Sequence, residues 1–126
     1  MHPLVEQQFE ELRKKGIEFE TIGNTDGEFV IKFPIVRLPP GWSQPETAVR
    51  MVVPAGYPFS APDCFWADQG LTLSSGIPPQ ASNQQPLPQT GEMTTWFSWH
   101  VSGWNPNRDN LLSFYRLIDR RFHDVR

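Results

Sequence analysis

The chain has 126 residues, 11 basic and 14 acidic, a formal net charge of −3 and 13% aromatic side chains. The acidic balance argues against a nucleic-acid groove, whose footprint is a basic face. The aromatic content argues against disorder, and no apolar run approaches the length that crosses a membrane.

The length suits a single domain over residues 1–126. One cysteine makes neither an internal disulfide nor a CxxC metal site, so the cytoplasm is the expected compartment. The amphipathic, acidic start is unlike a signal peptide. Thirteen prolines, about twice the usual share, predict sharp turns and long stretches without repetitive structure.

Pro3 to Lys15 reads as a helix. Proline suits a first helical turn, and Val5, Phe9 and Leu12 recur at i, i+4, i+7 as an apolar stripe. Glu6, Glu10 and Glu11 come early and Arg13, Lys14 and Lys15 late, matching the helix dipole. Ile17 to Ile22 alternates as a first strand, and Asn24-Thr25-Asp26-Gly27 is a turn by composition. Glu28 to Leu38 is a second strand, with Phe29, Ile31, Phe33 and Ile35 at period two. Thr47 to Val53 is a third, with Ala48, Met51 and Val53 as core candidates, and Cys64 to Trp66 a short fourth. The short connections predict an antiparallel four-stranded meander.

Residues 68–92 have no apolar period and read as a long irregular Pro-rich loop, of a kind often functional or mobile. It runs directly into Met93 to Ser98, where it could act as a lid. Met93 to Val101, with Trp96, Phe97 and Trp99, covers or extends the sheet. After the turn Trp104-Asn105-Pro106-Asn107, Asp109 reads as the N-cap of a helix. Leu111, Tyr115, Ile118 and Phe122 form its apolar stripe, and Arg116, Arg120 and Arg121 lie on or near its polar flank. The expected fold class is therefore α+β: N-terminal helix, meander, long Pro-rich loop, C-terminal helix. His2 and His123 read as exposed chain ends, and the three histidines lack metal-ligand spacing, so no metal is expected.

Tyr57-Pro58-Phe59-Ser60-Ala61-Pro62 resembles the YPxxxP turn that follows the third strand in the E2 (ubiquitin-conjugating, UBC) superfamily, a turn that RWD domains share. Asp63-Cys64-Phe65-Trp66 resembles the fourth E2 strand. Trp104-Asn105-Pro106, with Asp109 and the helix after it, resembles the W-x-P segment that opens the second E2 helix. The HxxxWNP string and the end of the chain after that helix resemble the small bacterial E2-like families, prokaryotic E2 family E in particular. The resemblance implies a UBC-like fold and a ubiquitin-like conjugation pathway. It implies as partners an E1-like activating enzyme, a ubiquitin-like protein and a JAB-type deconjugase, with no nucleic acid, no membrane and no cofactor, because adenylation belongs to the E1.

The chemistry departs from this pattern. An E2 carries its partner as a thioester on a cysteine about 8 to 10 residues before that tryptophan; counting back from Trp104 lands on Thr94 to Trp96, and no cysteine is there. Cys64 falls where an E2 has an inward aliphatic residue, and free cysteine is among the most buried residue types. Three readings follow. The chain is a binding or adaptor module lacking the usual thioester cysteine, or a carrier that holds its partner as an oxyester, or an RWD-like interaction scaffold unrelated to ubiquitin.

For the oxyester reading the candidate nucleophiles are Thr94, Thr95 and Ser98, with His100 as base, since a hydroxyl needs an adjacent base to attack. Ser98 and His100 at i, i+2 share a strand face with Thr94, while Thr95 and Phe97 point the other way. By resemblance, Phe59, Pro106 and Asn107 match the E2 surface that meets E3-type partners, and Arg13 and Lys14 match the face that docks on E1.

Overall fold

The computed structural model describes residues 3–25 and 27–126, with residues 23–25 by their backbone alone. The described residues form two helices, α1 (Pro3–Lys14) and α2 (Leu111–His123), and six strands. The strands are β1 (Glu20–Thr25), β2 (Glu28–Arg37), β3 (Glu46–Val53), β4 (Phe65–Asp68), β5 (Ser82–Pro86) and β6 (Met93–Phe97). They make one sheet in the order β1-β2-β3-β4-β6-β5, and every neighbouring pair is antiparallel. His2 and Asp26 lie outside the described residues, so the exposure expected of one and the turn expected through the other are not part of this description.

Both helices pack on one face of the sheet. Val5, Phe9 and Leu12 of α1 meet Leu111, Phe114, Ile118 and Phe122 of α2 over Ile31, Phe33, Val49, Met51, Phe65 and Phe97. Phe65, Phe97 and Phe122 form the aromatic centre, with ring centroids 4.8 to 5.6 Å apart. The opposite face carries a smaller cluster of Val30, Cys64, Trp66 and Leu87. Between these clusters each strand divides by its two-residue period.

The sheet corrects the sequence reading at several points. It has six strands, not four, because residues 82–86 of the supposed irregular loop pair with β6. Their sequence, SNQQP, offers no apolar alternation, as befits a short polar edge strand that ends in proline. The aromatic segment extends the sheet as β6. In β2 the register shifts between Phe33 and Val36. Pro34 cannot donate to a ladder, and the bulge around it reverses the parity, so Ile35 is 51% exposed and Val36 is buried. In β3 it is Val49, rather than Ala48, that joins Met51 and Val53 beneath the helices. β4 begins at Phe65, one residue later than expected, and β1 at Glu20.

Two corrections concern α2. Its N-cap is Asn110, whose side chain accepts from the Ser113 amide while Ser113 Oγ accepts from the Asn110 amide, a reciprocal capping box. Arg121 is buried, not on a polar flank. Its guanidinium donates to the carbonyls of Asp124, Gln80 and Arg126 and lies 5.2 to 5.9 Å from the ring centres of Phe97, Trp99 and Trp42. Burial lowers its pKa from the usual arginine value.

Candidate functional site

The site grows from two turns that the fold clamps together. After β3 the chain turns through Pro54 to Pro62, with a cis peptide at Tyr57-Pro58. The Tyr57 amide donates to Pro54 O and the Phe59 amide to Gly56 O. Tyr57 points inward and its hydroxyl donates to Gln8 Oε1, which also accepts from the Leu111 amide at 3.0 Å. One glutamine of α1 thus holds both the turn and the start of α2. From the other side the Trp104 indole donates to Pro58 O at 2.8 Å, with its ring centre 6.0 Å from that of Tyr57. Asp109, expected as a helix cap, instead closes the Trp-Asn-Pro turn: its carboxylate accepts from the Asn105 amide at 2.8 Å. The backbone of this corner is therefore well fixed, and Phe59 projects from it with 83% of its surface exposed.

Asp63 and Cys64 leave this turn just before β4, and Ser98, Trp99 and His100 follow β6 beside them. The Cys64 amide donates to Trp99 O at 2.9 Å, and the Ser98 amide donates to Ala81 O at 2.8 Å, so both segments continue the ladder. His100 Nδ1 stands 2.5 Å from Asp63 Oδ1, and His100 Nε2 stands 3.4 Å from Ser98 Oγ. A hydroxyl, an imidazole and a carboxylate are thus lined up in that order. The side chains of His100 and Asp63 are 66% and 63% exposed.

Cys64 is close by but differently placed. Its sulfur lies within 4.8 Å of donor atoms of both Asp63 and His100, yet the residue is 6% exposed and packs with Val30, Trp66 and Leu87. It is also in the left-handed backbone region, φ +61. Burial, foremost, pushes its thiol pKa up, which favours the protonated form.

The other nucleophile candidates are committed to the framework. Thr94 and Thr95 are fully buried. Thr94 Oγ1 donates to Gln85 O at 2.8 Å. Thr95 Oγ1 donates to Asp68 O at 2.7 Å and accepts from the Leu71 amide and from Gln84 Nε2. Only Ser98 of the three hydroxyls stands next to His100.

Sequence reasoning placed Ser98 and His100 on one face and missed Asp63. That residue comes 37 positions before His100, and only the pairing of β4 with β6 joins them. The histidine spacing likewise concealed that Asp63, Cys64 and His100 converge.

The residues that the resemblance assigned to partner docking are placed as follows. Pro106 is half-buried, and Asn107 is exposed at the Trp-Asn-Pro corner. Arg13 and Lys14 are exposed on the last turn of α1. Arg13 pairs with Glu10 and lies over the Phe19 ring.

An α+β domain with one helix before a meander, a YPxxxP turn locked to a Trp-x-Pro corner, and a second helix after it defines a UBC-like, E2-type fold. The family model described as Prokaryotic E2 family E matches residues 4–124, and the chain belongs to that family. No curated protein and no solved structure matches it.

Proposed function

We propose that this chain is a bacterial E2-like carrier in a ubiquitin-like conjugation pathway that holds its partner as an oxyester on Ser98. The observation behind this reading is the hydrogen-bonded order Ser98, His100, Asp63. A serine hydroxyl is almost wholly protonated at neutral pH and attacks only with a base in reach. His100 Nε2 faces the hydroxyl. Asp63 at Nδ1 favours the tautomer whose Nε2 is free to accept.

The transfer then runs as follows. Ser98 Oγ attacks the thioester carbonyl of the activated ubiquitin-like protein on an E1-like enzyme while His100 takes its proton. The intermediate collapses, the carbon–sulfur bond breaks, and His100 gives the proton to the departing thiolate. An oxyester is less activated than a thioester, so onward transfer to an amine depends on a partner that supports the leaving serine. Partner docking at Phe59, Pro106 and Asn107 is suited to that task, and it would also shield a site that is open to water. Arg13 and Lys14 present positive charge for the E1-like enzyme.

The adaptor reading draws on Phe59: an exposed aromatic ring on a well-fixed turn is a ready interface anchor, and it needs no covalent step.

The test is incubation with the cognate E1-like enzyme, ATP and the ubiquitin-like protein. The carrier reading expects an adduct that resists reductant and falls to hydroxylamine or base. It expects no adduct with Ser98→Ala. His100→Ala and Asp63→Asn should slow its formation, the former by about 10²- to 10⁴-fold. Non-covalent binding without an adduct sustains the adaptor. An adduct released by reductant and lost with Cys64→Ala transfers the role to the thiol.

A further inference from the structure

Among the described residues, Asp63, Cys64 and His100 form a group in which a carboxylate oxygen, a thiol sulfur and a ring nitrogen all lie within 4.8 Å of one another. The geometry points to a binding site for a zinc-type dication at these three side chains. Four features of the molecule carry this.

The donor set is mixed sulfur, nitrogen and oxygen, which suits zinc or cobalt rather than magnesium or calcium. The spacing is also near to what is needed. Zinc bonds of about 2.0 to 2.3 Å put tetrahedral ligand atoms roughly 3.3 to 3.8 Å apart, so a pair at the 4.8 Å limit must close by about 1 to 1.5 Å, and His100 Nδ1 and Asp63 Oδ1, now 2.5 Å apart, must part by about 1 Å if both coordinate. Asp63 and His100 can supply that movement, because about two thirds of each side chain is in solvent.

The charges balance as well: a thiolate and a carboxylate neutralise a dication, and the thiol proton leaves to solvent as the sulfur coordinates. Finally, the cysteine is held for the purpose. Its amide is tied to Trp99 O, and its backbone is held in the left-handed region at φ +61, which non-glycine residues rarely adopt. With Asp63 and His100 open to solvent above the buried sulfur, a fourth position is left for water, as in metal sites that exchange ligands.

Occupancy would have a consequence for the proposed carrier. Whichever ring nitrogen coordinates, His100 no longer has the free lone pair that faces Ser98. Metal binding and base catalysis by His100 therefore exclude each other. This consequence rests on the oxyester reading; the metal site itself does not.

The experiment uses Co²⁺ and the full chain. Titration of the metal-free, reduced protein should develop a thiolate-to-cobalt charge-transfer band that saturates at one equivalent, and Zn²⁺ should abolish it by displacement. Cys64→Ser should remove the band. His100→Ala should weaken binding at least as much as loss of a supporting contact does, about 10- to 100-fold. His100 is exposed, so that variant keeps the test open even if the Cys64 variant misfolds, with circular dichroism as the check. Ser98→Ala should bind cobalt as the wild type does, which separates the metal site from the carrier reading. No charge-transfer band, or a band of unchanged affinity in both His100→Ala and Asp63→Asn, would overturn the site. If the carrier forms its ester, Zn²⁺ should suppress it and a chelator restore it; ester formation unaffected by saturating Zn²⁺ would refute the mutual exclusion alone.

Discussion

Ser98 and Thr95 are both hydroxyl residues of the aromatic segment 93–101, and their surroundings give them different work. Thr95 satisfies a carbonyl and an amide inside the protein, whereas Ser98 is half-buried beside an imidazole. Thr95→Val is expected to lower stability by about 1 to 3 kcal/mol, the cost of stranding a buried polar group. Ser98→Ala should stay within about 0.5 kcal/mol of wild type and lose only the adduct. Urea unfolding of the two variants checks this, and equal losses would count against it.

Phe59 belongs to the same scale. At 83% exposure it contributes little to the core, so Phe59→Ala should leave the unfolding midpoint unchanged. If the ring anchors a partner, the same change should weaken that complex by about 2 kcal/mol or more. Calorimetry with the purified partner reads the second effect, and unchanged affinity would remove Phe59 from the interface.

At the scale of elements, Tyr57 fastens the turn after β3 to α1 through Gln8. Burial, with smaller contributions from Glu11 and Asp109, raises its pKa well above the ordinary tyrosine value. An unfolded tyrosine ionises near pH 10 while the folded one keeps its proton. The unfolded state thus binds fewer protons above about pH 10, and stability must fall there. The contribution is complete below that pH and is lost as pH rises toward the folded value. Thermal melts between about pH 9 and 11 should show a decline that Tyr57→Phe reduces. An identical decline in that variant would assign the effect elsewhere, for example to Tyr115, whose pKa burial also raises.

At the scale of the whole molecule, Arg121 joins parts far apart in sequence. It binds carbonyls of residues 80, 124 and 126 and contacts three aromatic rings, one of them Trp99, between Ser98 and His100. It thereby ties the Pro-rich segment and the chain's last residues to the rings of Trp42, Phe97 and Trp99. Arg121→Leu should cost about 1.5 to 3 kcal/mol, because three part-buried carbonyls lose a charged donor. It should also slow adduct formation even where the variant is still folded. A variant as stable as wild type would show that water replaces the guanidinium.

How much of this was legible in sequence follows from the range of each interaction. Helical stripes and the alternation in β2 and β3 are local periods. Val5, Phe9 and Leu12, and Ile31 with Phe33, could be assigned to the core directly because burial repeats with the geometry of the backbone. The YPxxxP and Trp-Asn-Pro strings marked the family, and the lack of cysteine at residues 94–96 left the hydroxyls of Thr94, Thr95 and Ser98, with His100, as the candidates. What only the tertiary structure decided was every feature that depends on which strand pairs with which. The bulge at Pro34 reversed Ile35 and Val36, β5 drew its partner from β6, and Arg121 found its acceptors on remote carbonyls. Asp63 reached His100 for the same reason: strand pairing brings together residues that no local period relates.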